Sequence, residues 1–259
     1  MNFSYSFGLV SYVLALFLLG LYPKVRILPI SFDASLLFHF IAFFLLYIFL
    51  FDRLKKKLLS FLIAFSIAGG IELLQRFVPS RSPSLSDFIY DLAGIVTALM
   101  VGFKGKDVVF KLVYSFLGIG YIPVGPGTLA SLVFTVFIYF SKSIRAIYVW
   151  QIFVILLPMA IVASQKAEDL MGEDPSLCVI DEVVGVALPL IFLKFNIKLY
   201  ALAFLFFRLF DILKPFGIKK LEKIRGGLGV VLDDLVSGGF ALLAVKLVVI
   251  ILSQVGVNL

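Results

Sequence analysis

Residues 226–253, GGLGVVLDDLVSGGFALLAVKLVVIILS, combine the two features that decide how this chain folds. The part after Asp234 is mostly apolar and has about the length that an α-helix needs to cross a bilayer. Two adjacent carboxylates, Asp233 and Asp234, stand directly before it, and carboxylates at membrane depth are costly unless they are paired or functional. The stretch therefore predicts a membrane helix over 235–253 whose entrance carries a polar site.

The rest of the chain is similarly apolar. Hydrophobic residues make up 62% of the 259 residues, and the mean hydropathy is +1.12. Spans are predicted near 3–22, 36–51, 58–75, 87–103, 128–141, 146–164, 182–195, 198–210 and 235–253. The expected fold class is all-α, a polytopic helical membrane protein. The first run lacks a basic n-region and a small-residue cleavage site, so we expect a retained span and a mature chain that begins at or near Met1.

Basic residues outnumber acidic residues, 23 to 16, and the formal net charge is +7. They lie between the apolar runs, which is typical of cytoplasmic loops and anionic lipid contact rather than of nucleic-acid binding. The basic stretches 52–57 and 104–111 are predicted to be cytoplasmic. The same topology places 165–181 and 211–234 on the cytoplasmic face of the membrane.

The polar motifs divide the chain into two predicted membrane modules. Those of the second half fall on the cytoplasmic face and can converge on one site, whereas the polar residues of the first half fall near the opposite face. The stretch GFKGKD at 102–107 interrupts the hydrophobicity between the halves. We therefore expect a four-span module over 1–105 and a second module over 106–259.

Acidic residues concentrate in the second module. Ten of the 16 lie in one part of it: Glu168, Asp169, Glu173, Asp174, Asp181, Glu182, Asp211, Glu222, Asp233 and Asp234. Such a cluster beside membrane helices calls for a bound cation. A hard cation such as Mg2+ is the natural partner, because it takes carboxylate ligands and completes its shell with waters and phosphate oxygens.

Glycine-rich turns and basic side chains accompany these acids. The turns at 118–128 and 225–229 let backbone N–H groups approach an anion, and each leads toward a helix N-terminus, which favours negative charge. Arg208, Lys214 and Arg225 can neutralise phosphate oxygens. The predicted metal site, the predicted phosphate contacts and the membrane location together indicate that the substrate is a phosphorylated lipid.

Other phosphatase mechanisms lack their residues. The single cysteine, Cys178, is followed six positions later by Val184 rather than by arginine, which excludes a cysteine phosphatase. The single histidine, His39, lies in the other half, which excludes a histidine phosphatase and a histidine zinc site. Asp211 is followed two positions later by Leu213, so the aspartyl-phosphate signature is missing too. Metal-activated water held by carboxylates is the mechanism that is left.

Two structural interpretations stand beside this one. Asp233 or Asp234 would serve well as an N-cap of the last span. Asp211 would pair with Arg208 one helical turn earlier.

Four motifs of the second module resemble the signatures of the phosphatidylglycerophosphatase A family: GYIPVGPGTLAS (120–131), DPSLCVIDEVVG (174–185), FRLFDILKP (207–215) and GGLGVVLDDLVSG (226–238). The resemblance covers about 107–250 and departs at Gly217, where the family usually has proline. It implies a Mg2+-dependent enzyme of the bacterial cytoplasmic (inner) membrane that hydrolyses phosphatidylglycerophosphate to phosphatidylglycerol and phosphate at the cytoplasmic face.

The resemblance also implies roles for individual residues. The implied catalytic residues are Asp181, Glu182, Asp211, Asp233 and Asp234. The implied metal ligands are Glu168, Asp181, Asp233 and Asp234, with Asp181 or Glu182 acting on the water. The implied substrate contacts are Gly127, Thr128, Arg208, Lys214 and Gly227.

The first half resembles the VanZ-like membrane domain over about 3–103, in FDASLLFHF (32–40) and GGIELLQRFVPSRSPSLSDFIYDLAG (69–94). It departs at Ala34 and at Asp91, where that family usually has lysine and asparagine. The family brings no activity to carry over. The residues of a predicted polar site are His39, Glu72, Gln75, Arg81 and Asp87. The alternative is that Asp33 caps the second span and Glu72 pairs with Arg81 or His39 to hold helices together.

The sequence thus favours a Mg2+-dependent lipid phosphatase whose partner is a membrane phospholipid, with no nucleic acid. The alternative is a membrane cation or lipid carrier that uses the same carboxylates, with the glycine turns as hinges.

Overall fold

The computed structural model of the protein describes residues 3–22, 34–79, 81–141, 148–173, 175–215, 217–218, 221 and 224–254. Asp33, the predicted cap, and Asp174 lie outside the described residues. Over the described ranges the chain forms nine α-helices: α1 (Phe3–Leu21), α2 (Ala34–Leu54), α3 (Lys57–Gln75), α4 (Leu85–Tyr114), α5 (Pro126–Phe140), α6 (Tyr148–Met171), α7 (Ile180–Phe192), α8 (Ile197–Leu213) and α9 (Gly227–Gln254). They contain no β-strand, and the all-α class is confirmed.

Five of these helices, α1, α2, α3, α6 and α9, are long and apolar enough to cross a membrane. Helix α4 adds a sixth if its two parts, Leu85–Val101 and Gly105–Tyr114, are counted as one span. The expected multi-pass membrane protein is therefore confirmed. Helices α5, α7 and α8 have 15, 13 and 17 residues, fewer than the roughly 20 that a perpendicular span needs.

The chain folds into two compact units. The first, Leu9–Val109, is called the N-terminal unit here, and the second, Met1–Gly8 with Phe110–Leu259, the C-terminal unit. The predicted division of the chain into modules 1–105 and 106–259 stays a prediction.

In the N-terminal unit, small residues and aromatic pairs bring four helices together. The Tyr12 ring of α1 packs edge-on against Phe49 of α2, with ring centroids 5.3 Å apart, and its hydroxyl donates to the Ala42 carbonyl at 3.1 Å. Helices α2 and α4 approach closely at Gly94, where a Cβ would collide with the α2 backbone. Phe65 of α3 packs edge-on against a ring of α4 at 5.7 Å.

The two ends of the N-terminal unit carry different polar clusters. At one end, the buried Asp52 carboxylate accepts from Lys106 at 2.5 Å and from Lys55 at 2.8 Å. At the other end, His39 of α2 meets two aspartates of α4. Buried charges need partners, and in both clusters the partners lie on α2 and α4, so each cluster links these two helices.

In the C-terminal unit, α9 packs against α6, α7 and α8. The crossing of α7 and α9 is close because glycines face each other there. A Cβ on Gly185 would lie 2.8 Å from the Asp234 carbonyl oxygen, and a Cβ on Gly238 would collide with the Gly185 carbonyl. Glycine at both positions therefore sets the distance between the acidic residues of α7 and those of α9.

Alanine at Gly238 is expected to lower the free energy of unfolding by about 1 to 3 kcal/mol, because the new methyl group meets backbone that cannot move aside. Alanine at Gly239 is the matched control, since no atom lies within 4 Å of its Cβ position and alanine favours a helix by about 1 kcal/mol over glycine. Thermal unfolding of both variants in detergent checks the pair. Equal midpoints would contradict the close crossing.

Helix α9 begins eight residues before the predicted start of the last span. Its first residue is Gly227, so Asp233 and Asp234 lie in its second turn. The interpretation of either aspartate as an N-cap is therefore wrong. The reason is local. Gly226 has φ +92°, in the left-handed region that favours glycine, and the helix starts directly after this turn.

Candidate metal-dependent active site

The glycine turn at 118–128 places the start of α5 next to an acidic residue of α7. Gly125 is left-handed at φ +58°, and Pro126 occupies the first helical position, where its missing N–H costs nothing. The next residue, Gly127, is buried, and a Cβ there would fall on the Glu182 carboxylate. The α5 backbone therefore lies against the Glu182 side chain of α7, and only glycine at position 127 leaves room for this contact.

Three carboxylates converge between α7 and α9. Asp181 and Glu182 lie in the first turn of α7, and Asp234 lies in α9. Each offers one oxygen, and these oxygens lie within 4.8 Å of one another. Asp181 and Asp234 are 6% and 3% exposed. We call these residues the three-carboxylate cluster.

The cluster fits a hard divalent cation. Like-charged groups this close repel one another strongly in a buried setting unless a cation or a proton lies between them. In addition, Glu182 Oε2 is buried and has no hydrogen-bond partner among the described residues. All donors are oxygens, the set that Mg2+ and similar ions take.

Two cations at the C-terminal end of α8 are each paired with an aspartate, and Arg208 also lies within electrostatic range of Glu182. Arg208 Nη1 lies 2.6 Å from Asp211 Oδ2, so the predicted pairing along α8 is present. Lys214 Nζ donates to Asp233 Oδ2 at 2.5 Å. Lys214 caps α8 in a left-handed conformation, φ +42°, which turns its side chain back toward α9.

Arg208 also keeps donor capacity in this arrangement. Its Nε is buried and has no hydrogen-bond partner within the described ranges. Asp211 lies within electrostatic range of Glu182 and Asp234, so the Arg208–Asp211 pair borders the three-carboxylate cluster. A doubly charged anion reaching this edge would meet donors that are already oriented.

The second glycine turn is held by a residue of α6. The buried Gln165 accepts from the Gly227 N–H at 3.1 Å and donates to Asp169 Oδ1 at 3.0 Å. A Cβ on Gly227 would collide with the α6 backbone around Ile161 and Gln165. The start of α9, six residues before Asp233, is therefore pinned to α6.

The predicted residues of the C-terminal unit fall into four groups. The three-carboxylate cluster contains Asp181, Glu182 and Asp234. Asp233, adjacent in sequence to Asp234, lies instead beside Lys214. Glu168, on α6, is not part of the cluster. Gly127, Thr128, Arg208, Asp211, Lys214 and Gly227 all lie at or near helix ends of the same unit.

The predicted polar residues of the N-terminal unit are partly used to close helix ends. Gln75 Nε2 donates to the Gly20 carbonyl at 3.1 Å, and Arg81 donates to the Tyr22 and Leu19 carbonyls at 2.8 and 3.2 Å. Glu72 Oε2 accepts from the Ser84 N–H at 2.7 Å, at the start of α4. These bonds satisfy backbone groups that helix termini leave open.

His39 makes the remaining contacts. Its Nδ1 lies 2.8 Å from Asp91 Oδ1, and its Nε2 lies 3.8 Å from Asp87 Oδ2. The predicted alternative, a pair between Glu72 and His39 or Arg81, is not among the ion pairs found in the described residues, where His39 pairs with the α4 aspartates.

Sequence reasoning missed two residues that the structure places in these sites. Asp91 holds His39, and its spacing of four from Asp87 on a helix was a usable signal. Gln165 holds Gly227, and its only signal was a polar residue at the end of an apolar run.

Comparisons with known proteins agree with the two-unit arrangement. Residues 112–249 match the family model of phosphatidylglycerophosphatase A, and residues 9–106 match the VanZ/LLP1 family model. No solved structure matches the chain significantly.

Two curated relatives match the second half. A protein of Bacteroides thetaiotaomicron, named a candidate phosphatidylinositol-3-phosphatase, is 38% identical over 144 residues, 52% of this chain and 91% of the relative. The phosphatidylglycerophosphatase A of Haemophilus influenzae is 33% identical over 132 residues, 49% of this chain and 81% of the relative. With its site built from the motifs of that region, the chain belongs to the phosphatidylglycerophosphatase A family, and a VanZ-like segment precedes the family region.

Proposed function

We propose that this protein is a Mg2+-dependent phosphatase that hydrolyses phosphatidylglycerophosphate to phosphatidylglycerol and phosphate at the cytoplasmic face of the bacterial inner membrane. The observation that carries the proposal is the three-carboxylate cluster, which lies between helices of a membrane protein and within electrostatic range of Arg208. Family membership supplies the substrate, and the positive-inside distribution supplies the membrane face.

Asp181, Glu182 and Asp234 would hold the metal ion. Bound there, Mg2+ supplies charge compensation for phosphate oxygens and lowers the pKa of a water molecule. Side chains of the protein would carry out the other steps of the reaction. Glu182, whose Oε2 has no hydrogen-bond partner among the described residues, is placed to accept a proton from the attacking water and to return it to the lipid oxygen that leaves as the ester P–O bond breaks.

Arg208 and Lys214 would bind the phosphomonoester. In the structure their charges are balanced by Asp211 and Asp233. Each cation can keep its aspartate and still donate to a phosphate oxygen, because guanidinium and ammonium groups carry several donors. The aspartates then act as positioning residues that orient the two cations.

The start of α5 would complete the phosphate site. Its first-turn N–H groups have no partner within the helix, and an anion at a helix N-terminus is stabilised by them. Thr128, in that turn, offers a hydroxyl donor to the same anion. The predicted contacts Gly127 and Gly227 also allow close backbone packing, because a Cβ at either position would collide with its neighbours.

A phosphoinositide is a second candidate substrate, and an experiment must distinguish it from phosphatidylglycerophosphate. The Bacteroides relative is named for a phosphoinositide rather than for phosphatidylglycerophosphate. Both lipids present a phosphomonoester, so the three-carboxylate cluster alone does not choose between them. Discrimination must come from groups that contact the glycerol or inositol ring.

Phosphate release by the purified full chain in detergent tests the proposal. The assay compares phosphatidylglycerophosphate, phosphatidylinositol 3-phosphate and phosphatidic acid, each with Mg2+ and with a chelator. We expect chelator-sensitive release that is fastest from phosphatidylglycerophosphate. Faster release from the phosphoinositide would replace the substrate, and no release from any lipid by a folded protein would favour a carrier that uses the same carboxylates.

A further inference from the structure

The polar end of the N-terminal unit has more hydrogen-bond acceptors than donors. We call His39, Glu72, Asp87 and Asp91 the His39 cluster. The neighbouring donors are already engaged: Gln75 Nε2 and Arg81 bond to carbonyls at the end of α1. Two of the acids have one bonded oxygen each, since Glu72 Oε2 accepts from the Ser84 N–H and Asp91 Oδ1 is bonded to His39 Nδ1.

Three buried oxygens at this end have no hydrogen-bond partner among the described residues. They are Glu72 Oε1, Gln75 Oε1 and Asp91 Oδ2. The residues are 8%, 0% and 1% exposed. An unsatisfied buried acceptor costs about 1 to 3 kcal/mol, and more for a charged group. Three such atoms at one end of a helical unit indicate that a donor-bearing ligand belongs there.

His39 forms the accessible edge of the cluster. Its side chain is 18% exposed, whereas Asp91 behind it is 1% exposed. The Asp91 bond fixes the ring, and Nε2 faces Asp87 Oδ2 at 3.8 Å, too far for a hydrogen bond. A donor group that enters at His39 therefore finds a carboxylate that the ring itself does not satisfy.

The charge of the cluster favours a cationic ligand. Among the residues that the structure describes, the three carboxylates of Glu72, Asp87 and Asp91 interact with two groups that can be positively charged, those of His39 and Arg81. These groups act on one another electrostatically, so they lie close together. Excess negative charge near membrane helices is costly unless a cation is bound.

A chelated metal ion fits this cluster poorly. Among the residues that the structure describes, the group whose ligand atoms all lie within 4.8 Å of one another is the three-carboxylate cluster of the other unit. The wider spacing around His39 suits an organic cation with several donors. We propose that the His39 cluster binds a primary ammonium group, from an aminoalcohol or from the head group of an amino lipid.

Binding of paired amine probes to the purified full chain in detergent tests this site. The probes are ethanolamine and lysophosphatidylethanolamine, and the controls are choline and lysophosphatidylcholine, which carry the same charge without N–H donors. We expect the ethanolamine probes to raise the thermal unfolding midpoint more than their choline counterparts. A response to both ethanolamine probes indicates recognition of the ammonium group alone, and a response to the lyso-lipid only indicates a lipid head group. Equal responses to the ethanolamine and choline probes, or none, would overturn the proposal.

Two conservative variants locate the response. Asp91→Asn and Glu72→Gln each remove a charge but keep the size of the side chain, and each is expected to weaken ethanolamine binding roughly tenfold. Phosphate release by both variants should stay at the wild-type rate, because neither residue belongs to the phosphatase site. Conversely, Asp234→Asn should keep the ethanolamine response. Loss of the response in Asp234→Asn, with Asp91→Asn unaffected, would place the amine in the other unit and contradict the proposal.

Discussion

Asparagine at Asp234 is expected to lower phosphate release by roughly 10³-fold in a protein that still folds and inserts. Asp234 is 3% exposed and contributes one of the three oxygens of the three-carboxylate cluster. The variant keeps the shape of the side chain and removes one negative charge from a set that the proposed mechanism uses to hold a divalent cation. Phosphate release from phosphatidylglycerophosphate measures the effect.

A second readout separates loss of the metal from loss of the fold. In the wild-type protein we expect added Mg2+ to raise the thermal unfolding midpoint, because a ligand that binds only the folded state stabilises it. The Asp234→Asn variant should lose this Mg2+ dependence, and its midpoint in chelator should be no lower than that of the wild type, since removal of one of several neighbouring carboxylates relieves repulsion. Glu173→Gln, at an exposed acid of the same unit, is the control. Full activity in Asp234→Asn would remove Asp234 from the site.

Alanine at Gly127 is expected to lower the rate of phosphate release roughly 100-fold. The added Cβ would occupy the position of the Glu182 carboxylate, so either that side chain or the start of α5 must shift. Displacement of a reacting group by about 1 Å is enough to cost on the order of 10²-fold in rate. The effect should appear in kcat more than in KM, because Glu182 is proposed to act on water rather than to bind the lipid.

The control for Gly127→Ala is Gly239→Ala, a glycine replacement with open space around it. It should retain wild-type activity. If Gly127→Ala is as active as the control, Glu182 has no role that depends on its position.

Much of the architecture could be predicted from the sequence, because its causes are local. Apolar runs predict helices wherever they occur, and the structure has a helix in each of the nine runs. The glycine turns before α5 and α9 are also local, since left-handed backbone at Gly125 and Gly226 follows from the residue type. The boundary of α9 was missed by eight residues, because hydropathy registers the two aspartates as an interruption whereas the helix continues through them.

The composition of the two sites was less predictable. Gln165 and Asp91 act through partners 62 and 52 residues away in the chain, and the local signals at these two residues do not identify those partners. The ion pair between Arg208 and Asp211 could be foreseen, because three positions on a helix always lie near one another.

The sequence by itself determined that this is a helical membrane protein with an acidic, glycine-flanked region in its second half, because hydropathy and glycine turns act within a few residues. Only the tertiary structure decided which acids meet. Asp233 and Asp234 are neighbours, yet successive helix positions differ by about 100° around the axis, so one faces Lys214 and the other faces α7. The close crossing at Gly185 and Gly238 then brings Asp234 to Asp181, and that meeting depends on packing between segments about 50 residues apart, which short-range sequence patterns do not encode.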